Sequence, residues 1–331
     1  MLVDRDAAVG DALCGGFLSW KTAERLASLG IDPAVLGGHE VRKLAVFAGG
    51  PAVEADLPHA CWGLSRHALD TTLREVALAA GTDLVIDTVR RIDGLRVIAQ
   101  DNEWEAQSLF LATGKHDVRG ASRPRASDDP ALGLRIRLSP SPALSRRLAG
   151  RIELHLFERG YAGIVLQEGG TANICMAVRK SLLAENGGSP IALLETLALR
   201  HPHFALRLEG GWREARVDTI GAIPYGWSAA ETEPGLFRLG DQAGVIPSLA
   251  GEGIDIALAS GLAAARAWLE GGSVTALVYQ RAFHEAARAP LRWAGAAWKL
   301  AENPALAGPA LSLLRFAPAA LAHLMKATRL P

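Results

Sequence analysis

The densest group of residues with chemical potential lies between 240 and 254. The apolar run Leu236-Phe237-Arg238-Leu239 ends in Gly240-Asp241-Gln242-Ala243-Gly244. Pro247 follows, and Gly251-Glu252-Gly253-Ile254 opens a long helical stretch that contains Ser260-Gly261. A buried strand would thus deliver a carboxylate at its C-terminal end, the end at which α/β folds bind ligands. Glycines let the backbone approach a ligand closely. A helix that begins with small residues leaves its first N–H groups free to face an acceptor, and its dipole favours negative charge there. A plain strand-loop-helix connection would need fewer glycines.

This segment resembles the second flavin-binding motif of the aromatic-hydroxylase and geranylgeranyl-reductase flavoprotein superfamily. The resemblance implies FAD as cofactor, with Asp241 on its ribityl chain. Gly240, Pro247, Gly251, Gly253 and Ile254 would shape the turn and helix start against the ring. The family usually has alanine after the aspartate; Gln242 here would reshape the pocket wall beside the flavin. Arg66, Asp70 and Leu73, with Gly81 after them, resemble the family's arginine-led helix, which implies Arg66 near the FAD phosphates. On spacing alone, Arg66 and Asp70 also make an ordinary solvated i,i+4 ion pair. Ala112-Thr113-Gly114 after an apolar strand resembles the family's turn against the cofactor, which adds Gly114. Cys14-Gly15-Gly16 ahead of a helix resembles the reductase branch, where this loop sits at the substrate face of the flavin. Read alone, Cys14 is also an ordinary buried thiol. Tyr161, Gly163, Gly169-Gly170 and Asn173 fit the sheet that covers the substrate in that branch. The resemblance covers about residues 1–275.

Flavin and nicotinamide Rossmann domains open with strand, G-x-G-x-x-G, helix, strand and acid. Asp4, after Leu2-Val3, stands where that acid would bind the adenosine ribose. No such glycine motif precedes it in this sequence, and Gly10, Gly15-Gly16 and Gly37-Gly38 do not follow apolar strands. An incomplete Rossmann-like domain is therefore expected, lacking its central strand and its pyrophosphate-holding helix start, with two strand edges open. A longer natural chain and a decayed remnant both account for this; the undamaged later motifs favour the first. A nicotinamide-only dehydrogenase would need the opening motif even more.

The elements around these motifs follow from periodicity and punctuation. Helices are predicted at about 20–29, from Ser65 to Ala80, at 190–200 and at 253–269, each stopped or started by glycine, serine or proline. Strands are predicted at 41–47, 52–57 (around the turn Gly49-Gly50-Pro51), 84–87, 95–99, 108–112, 134–138, 152–157, 162–167, 172–178, 214–220 and 236–239. The run Ser108-Leu109-Phe110-Leu111-Ala112 is apolar enough for a strand covered on both faces. The tail 276–331 is helical in character, broken by Pro290, Pro304, Pro309 and Pro318. The expected fold class is α/β (α+β). Residues 1–40, 59–120 and 225–275 would form the discontinuous FAD domain, 41–58 and 121–224 an antiparallel-sheet substrate domain, and 276–331 a helical cap.

Composition narrows the function. The chain has 331 residues, 49% hydrophobic and 21% charged, with 35 basic and 35 acidic residues. That suits a globular protein and removes the long-range attraction a nucleic-acid binder needs. Cys14, Cys61 and Cys175 are too few and too scattered for a disulfide framework or a zinc site, and the nine histidines show no metal-ligand spacing. A cytoplasmic location is expected. The resemblance implies an oxidoreductase in which NAD(P)H reduces FAD, acting on a small hydrophobic or aromatic substrate as monooxygenase or as alkene reductase. The alternative is a non-catalytic relative that binds a lipid, membrane surface or protein partner. It rests on the tail, where Arg288, Arg292, Lys299, Arg315, Lys326 and Arg329 accompany Trp293, Trp298, Leu311, Leu313, Leu314 and Phe316. Such helices lie on membranes or cap a core. Trp20, Trp62 and Trp227 would line a pocket or fill the core.

Overall fold

The computed structural model describes residues 1–50, 52–124, 127–314 and 318–331; Pro51, Arg315 and Phe316 lie outside the described residues. The chain opens with β1 (Leu2–Asp4), β2 (Phe17–Leu18) and α1 (Trp20–Ser28), then β3 (His39–Phe47), β4 (Val53–Gly63), α2 (Arg66–Ala79) and β5 (Leu84–Ile86). Three short strands, β6 (Val89–Asp93), β7 (Arg96–Ala99) and β8 (Glu103–Glu105), make a separate sheet before β9 (Leu109–Leu111). The middle of the chain supplies β10 (Ala131–Leu138), α3 (Pro142–Leu148), β11 (Gly150–Phe157), β12 (Gly160–Leu166), β13 (Ala172–Arg179), α4 (Lys180–Glu185), α5 (Pro190–Arg200), α6 (Pro202–Ala205) and β14 (Asp218–Ile223). Then come β15 (Leu236–Arg238), α7 (Gly253–Gly271), α8 (Ala276–Ala301), α9 (Pro304–Leu314) and α10 (Pro318–Ala327).

Local chemistry sets the helix starts. Ser19 caps α1, and the Ser65 hydroxyl accepts from the Ala68 amide at 3.1 Å to cap α2. Gly30 and Gly81, at φ of +75° and +89°, follow the ends of these two helices in a conformation that other residues resist.

The centre is an eight-stranded sheet in the order β14-β10-β13-β12-β11-β3-β4-β2. It is antiparallel except between β11 and β3, which run parallel. That exception departs from the expected antiparallel sheet. It arises because β3 and β4 enter from earlier in the chain, so β11 meets β3 without a hairpin to reverse its direction. Alternation along β11 separates two environments. Glu153, His155 and Phe157 face a core closed by α3 to α6, whereas Ile152, Leu154 and Leu156 face the opposite side. β4 extends to Gly63 and pairs with β2, so this sheet crosses the expected boundary at 58/59.

Two parallel pairs stand apart from it. β1 pairs with β5, and β9 pairs with β15. Among the described residues, β1 and β9 each have a single strand neighbour. The expectation that residues 108–112 are covered on both faces therefore fails. Phe110 stacks on Phe237 at 4.7 Å yet remains 38% exposed.

The tail is helical and breaks at Pro304 and Pro318 as expected, but not at Pro290 or Pro309. α8 runs through Pro290, and α9 contains Pro309. Pro304 and Pro318 each occupy the first position of a helix, where the missing N–H costs nothing. Pro290 is buried against the core, so packing compensates for the backbone bond its ring removes. No single helix among the described residues is long and apolar enough to cross a membrane; α9 and α10 pass that test only as a bent pair.

Candidate functional site

A cavity of about 430 Å³ lies between the apolar face of the central sheet, the start of α7 and the C-terminal helices. The sequence-derived candidates converge on it. Gly240, Asp241, Gly251, Gly253 and Ile254 border it from the β15–α7 connection, Arg66 and Gly114 from neighbouring elements, and Cys14, Gly15, Gly16 and Tyr161 from the side of the sheet. Two candidates do not. Pro247 lies in the same loop but outside the lining. Asp4 ends β1 and is held by Arg74 and by the Asp6 amide, away from the cavity.

Each wall is fixed by identifiable contacts. β15 leads into Gly240 at φ +54°, whose amide donates to the Ser260 hydroxyl at 2.8 Å, docking the turn onto α7. Gly251, at φ +71°, ends the loop against Phe17. α7 then starts with no side-chain cap, and its first intrahelical bond runs from the Ile256 amide to the Glu252 carbonyl at 3.0 Å. The loop at 14–16 is held by Asn173, whose amide donates to the carbonyls of Cys14 at 3.1 Å and Gly15 at 2.7 Å. Gly16 has φ +66°, and a Cβ there would come within 2.8 Å of the Leu64 carbonyl, so a glycine is required.

Gln242 does not shape the pocket wall as expected. It is fully buried, and its amide donates to the carbonyls of Gly114 at 2.9 Å and His116 at 3.1 Å. The side chain ties the turn after β9 to the turn after β15. Arg66 makes the expected i,i+4 pair with Asp70, bidentate at 2.9 and 2.8 Å, and also borders the cavity.

Two features of the site escaped sequence reasoning. The first is a hydroxyl cluster. Tyr161 donates to Ser248 at 2.9 Å, and Tyr225 shares a 2.6 Å hydrogen bond with the same Ser248 oxygen. Burial pushes the phenol groups of Tyr161 and Tyr225 upward, so both stay protonated. The second is a buried ion network beneath α7. Glu252, 1% exposed, accepts from the Ser19 hydroxyl at 2.9 Å and meets Arg329 at 3.0 Å. Arg329 also lies over the Trp20 ring, and Arg25 pairs with the buried Asp255 at 2.9 Å. Burial, with Asp255 nearby, pushes Glu252 up to about 8 despite Arg329. Neither feature has a local signature, because the partners are far apart in sequence.

The tail supplies the remaining wall through residues such as Leu300, Leu311, Leu314, Leu321 and Met325. Trp298 is buried against Tyr161 and Tyr225, whereas Trp293 and Leu313 are exposed. Trp20, Trp62 and Trp227 do not line the cavity; Trp20 belongs to the core. Among the described residues no cluster of His, Cys, Asp or Glu is arranged to hold a metal.

Known structures share this fold. PqsL, a probable FAD-dependent monooxygenase from Pseudomonas aeruginosa, superposes with a TM-score of 0.70 at 16% identity, over 92% of this chain and 91% of that one. This is the fold of the FAD-dependent monooxygenases. The flavin-dependent brominase Bmp2 matches with a TM-score of 0.63 at 14% identity, over 95% of this chain and 86% of its own. A geranylgeranyl bacteriochlorophyll reductase-like protein from Thermoplasma acidophilum matches at 0.65 and 16% identity, over 89% and 79%. No protein-family model and no curated protein matches the sequence.

The residues present suit part of the cofactor of this flavoprotein fold. A Cβ on Gly15, Gly114 or Gly253 would meet nothing within 4 Å, which leaves room along the face where Asp241 and the uncapped start of α7 meet the cavity. That donor set fits a flavin ring and its ribityl chain. Of the residues expected at the phosphate and adenosine end, Arg66 is paired with Asp70 and Asp4 with Arg74.

Proposed function

We propose that this chain is an FAD-dependent oxidoreductase acting on a small hydrophobic or aromatic molecule, with NAD(P)H as reductant. One observation carries the reading. The uncapped, glycine-flanked start of α7 and the Asp241 carboxylate open onto the same apolar cavity, inside a fold that flavin monooxygenases share. FAD held there would supply the redox chemistry, transferring oxygen or hydrogen to the substrate.

The protein's own contribution is binding, orientation and exclusion of water. Asp241 would hold the ribityl hydroxyls. The free N–H groups and positive dipole end of α7 would stabilise negative charge at the ring edge. Leu44, Val46, Ile152, Leu154 and Leu156 of the sheet keep the reacting region dry. The Cys14–Gly16 loop, pinned by Asn173, would define where substrate stands relative to the ring. PqsL has been crystallised with 2-aminobenzoylacetate, a small aromatic compound, which supports a ligand of that size for the present cavity. Three free cysteines suit a reducing compartment such as the cytoplasm.

The test is the visible spectrum of the purified protein reconstituted with FAD. Bound flavin bands are expected, and Asp241→Ala should weaken FAD binding by at least about tenfold, the order expected for a charge-assisted hydrogen bond. A colourless protein in both cases would remove the cofactor from the proposal. Product mass then separates the chemistries: a gain of oxygen means hydroxylation, a gain of two hydrogens means reduction.

A further inference from the structure

We infer that the cavity selects an uncharged, elongated apolar molecule carrying one hydrogen-bond-accepting oxygen, such as a ketone, and that the Tyr161–Ser248–Tyr225 hydroxyl cluster anchors that oxygen. The inference rests on the reading of this cavity as the substrate site. Its first support is the chemistry of the wall. The sheet presents Leu44, Val46, Ile152, Leu154 and Leu156, and the C-terminal helices present aliphatic side chains opposite them. A ligand that fills this space gains by burying carbon, roughly 0.8 kcal/mol per methylene.

The second support is a count of protons. Three hydroxyls carry three O–H donors. The two hydrogen bonds inside the cluster, Tyr161 to Ser248 at 2.9 Å and Ser248 with Tyr225 at 2.6 Å, use two of them. One O–H, on Ser248 or Tyr225, is left to donate outward, and all three residues border the cavity. Ser248 is accessible and Tyr225 partly so, which leaves this O–H open to a ligand between apolar walls, where an acceptor oxygen would pair with it. Trp298 fixes the cluster from behind, with ring centroids 5.7 Å from Tyr161 and 5.5 Å from Tyr225.

The third support is charge. Among the described residues, three cations border the cavity: Arg66 pairs with Asp70 at 2.8 Å and Arg329 meets Glu252 at 3.0 Å, while Lys115 donates to the Leu13 carbonyl at 2.8 Å and has no acid partner. A carboxylate held at the hydroxyl cluster, between these aliphatic walls, would trade its hydration for a single O–H donor, which disfavours an acidic group at that point.

The test compares equilibrium binding of three probes of similar length, 2-undecanone, 1-undecene and decanoate, by calorimetry or dialysis, with and without FAD. The ketone should bind about tenfold tighter than the alkene, the order of one hydrogen bond in an apolar site, and tighter than decanoate. The triple variant Tyr161→Phe/Ser248→Ala/Tyr225→Phe, which leaves no O–H in the cluster, should remove the ketone's advantage while leaving alkene affinity in place; a purely structural role would weaken both probes together. Thermal unfolding identifies a variant that fails to fold, and the double variant Ser248→Ala/Tyr225→Phe, which removes both outward donors, should then reduce the advantage. The inference is overturned if the ketone shows no saturable binding or no advantage over the alkene, if the advantage survives loss of these hydroxyls, or if decanoate binds best. Flavin absorbance is recorded in parallel, so a protein that binds the ketone through these hydroxyls but takes up no FAD sinks the oxidoreductase reading alone.

Discussion

Glu252 shows how a single side chain at this site shapes the behaviour of the protein. Its carboxyl is raised from an ordinary 4.5 to about 8, chiefly by burial. Between those values the folded protein holds a proton that the unfolded chain has released. Stability contributed by this group is therefore full below about 4.5 and is lost as pH rises through about 8. Glu252→Gln should remove that slope: denaturation curves from pH 5 to 9 should show wild-type stability falling relative to the variant. A parallel pair of curves would mean that Glu252 is ionised throughout the range, as its contact with Arg329 favours. At this scale the sequence was legible where partners are contiguous. Asp241 and the glycines around it announced themselves as a run. Ser248 with its two tyrosines and Glu252 with Arg329 did not, because each contact joins residues from separate elements and leaves no spacing to read.

At the scale of elements, the β15–α7 connection depends on backbone geometry more than on side chains. Gly251 sits at φ +71°, and a Cβ there would stand 2.8 Å from Phe17 Cδ1. Gly251→Ala should cost about 1–3 kcal/mol of stability through backbone strain and this clash. Gly253→Ala, where a Cβ meets nothing within 4 Å, should change the melting temperature little. Equal melting temperatures for the two variants would refute the strain argument. The strands of the central sheet were visible as alternation, and Ser65 and Gly81 bracketed α2 as their chemistry requires. The parallel β3–β11 contact was not visible, since pairing direction depends on how distant strands enter the sheet. The passage of α8 through Pro290 was also hidden, because tertiary packing offset a local signal that on its own ends helices.

For the molecule as a whole, the fold class was readable because strand–helix alternation at both ends framed a block of alternating strands. What could not be read was that the far tail builds a wall of the site. Arg25 of α1 bonds the carbonyl of Pro331, 306 residues away, and Arg329 lies over Trp20 of the same helix. Bringing such distant segments together carries a large loop-closure entropy before any contact repays it, and non-local contacts form late. The site should therefore be the last region to mature when the chain refolds. Time-resolved tryptophan emission tests this: Trp20→Phe should abolish a late phase that the remaining tryptophans do not report, and an unchanged time course would show that the tail docks early. Until that step is complete, the two ends of α7 differ in maturity. The end packed on α8 would already be core, while the glycine end that faces the cavity would still wait for the tail, whose Arg329 meets Glu252 in the folded protein. A chain caught in this interval would have its fold but not its binding site, so the rate at which active protein accumulates would be set by docking of the tail and not by formation of the sheet.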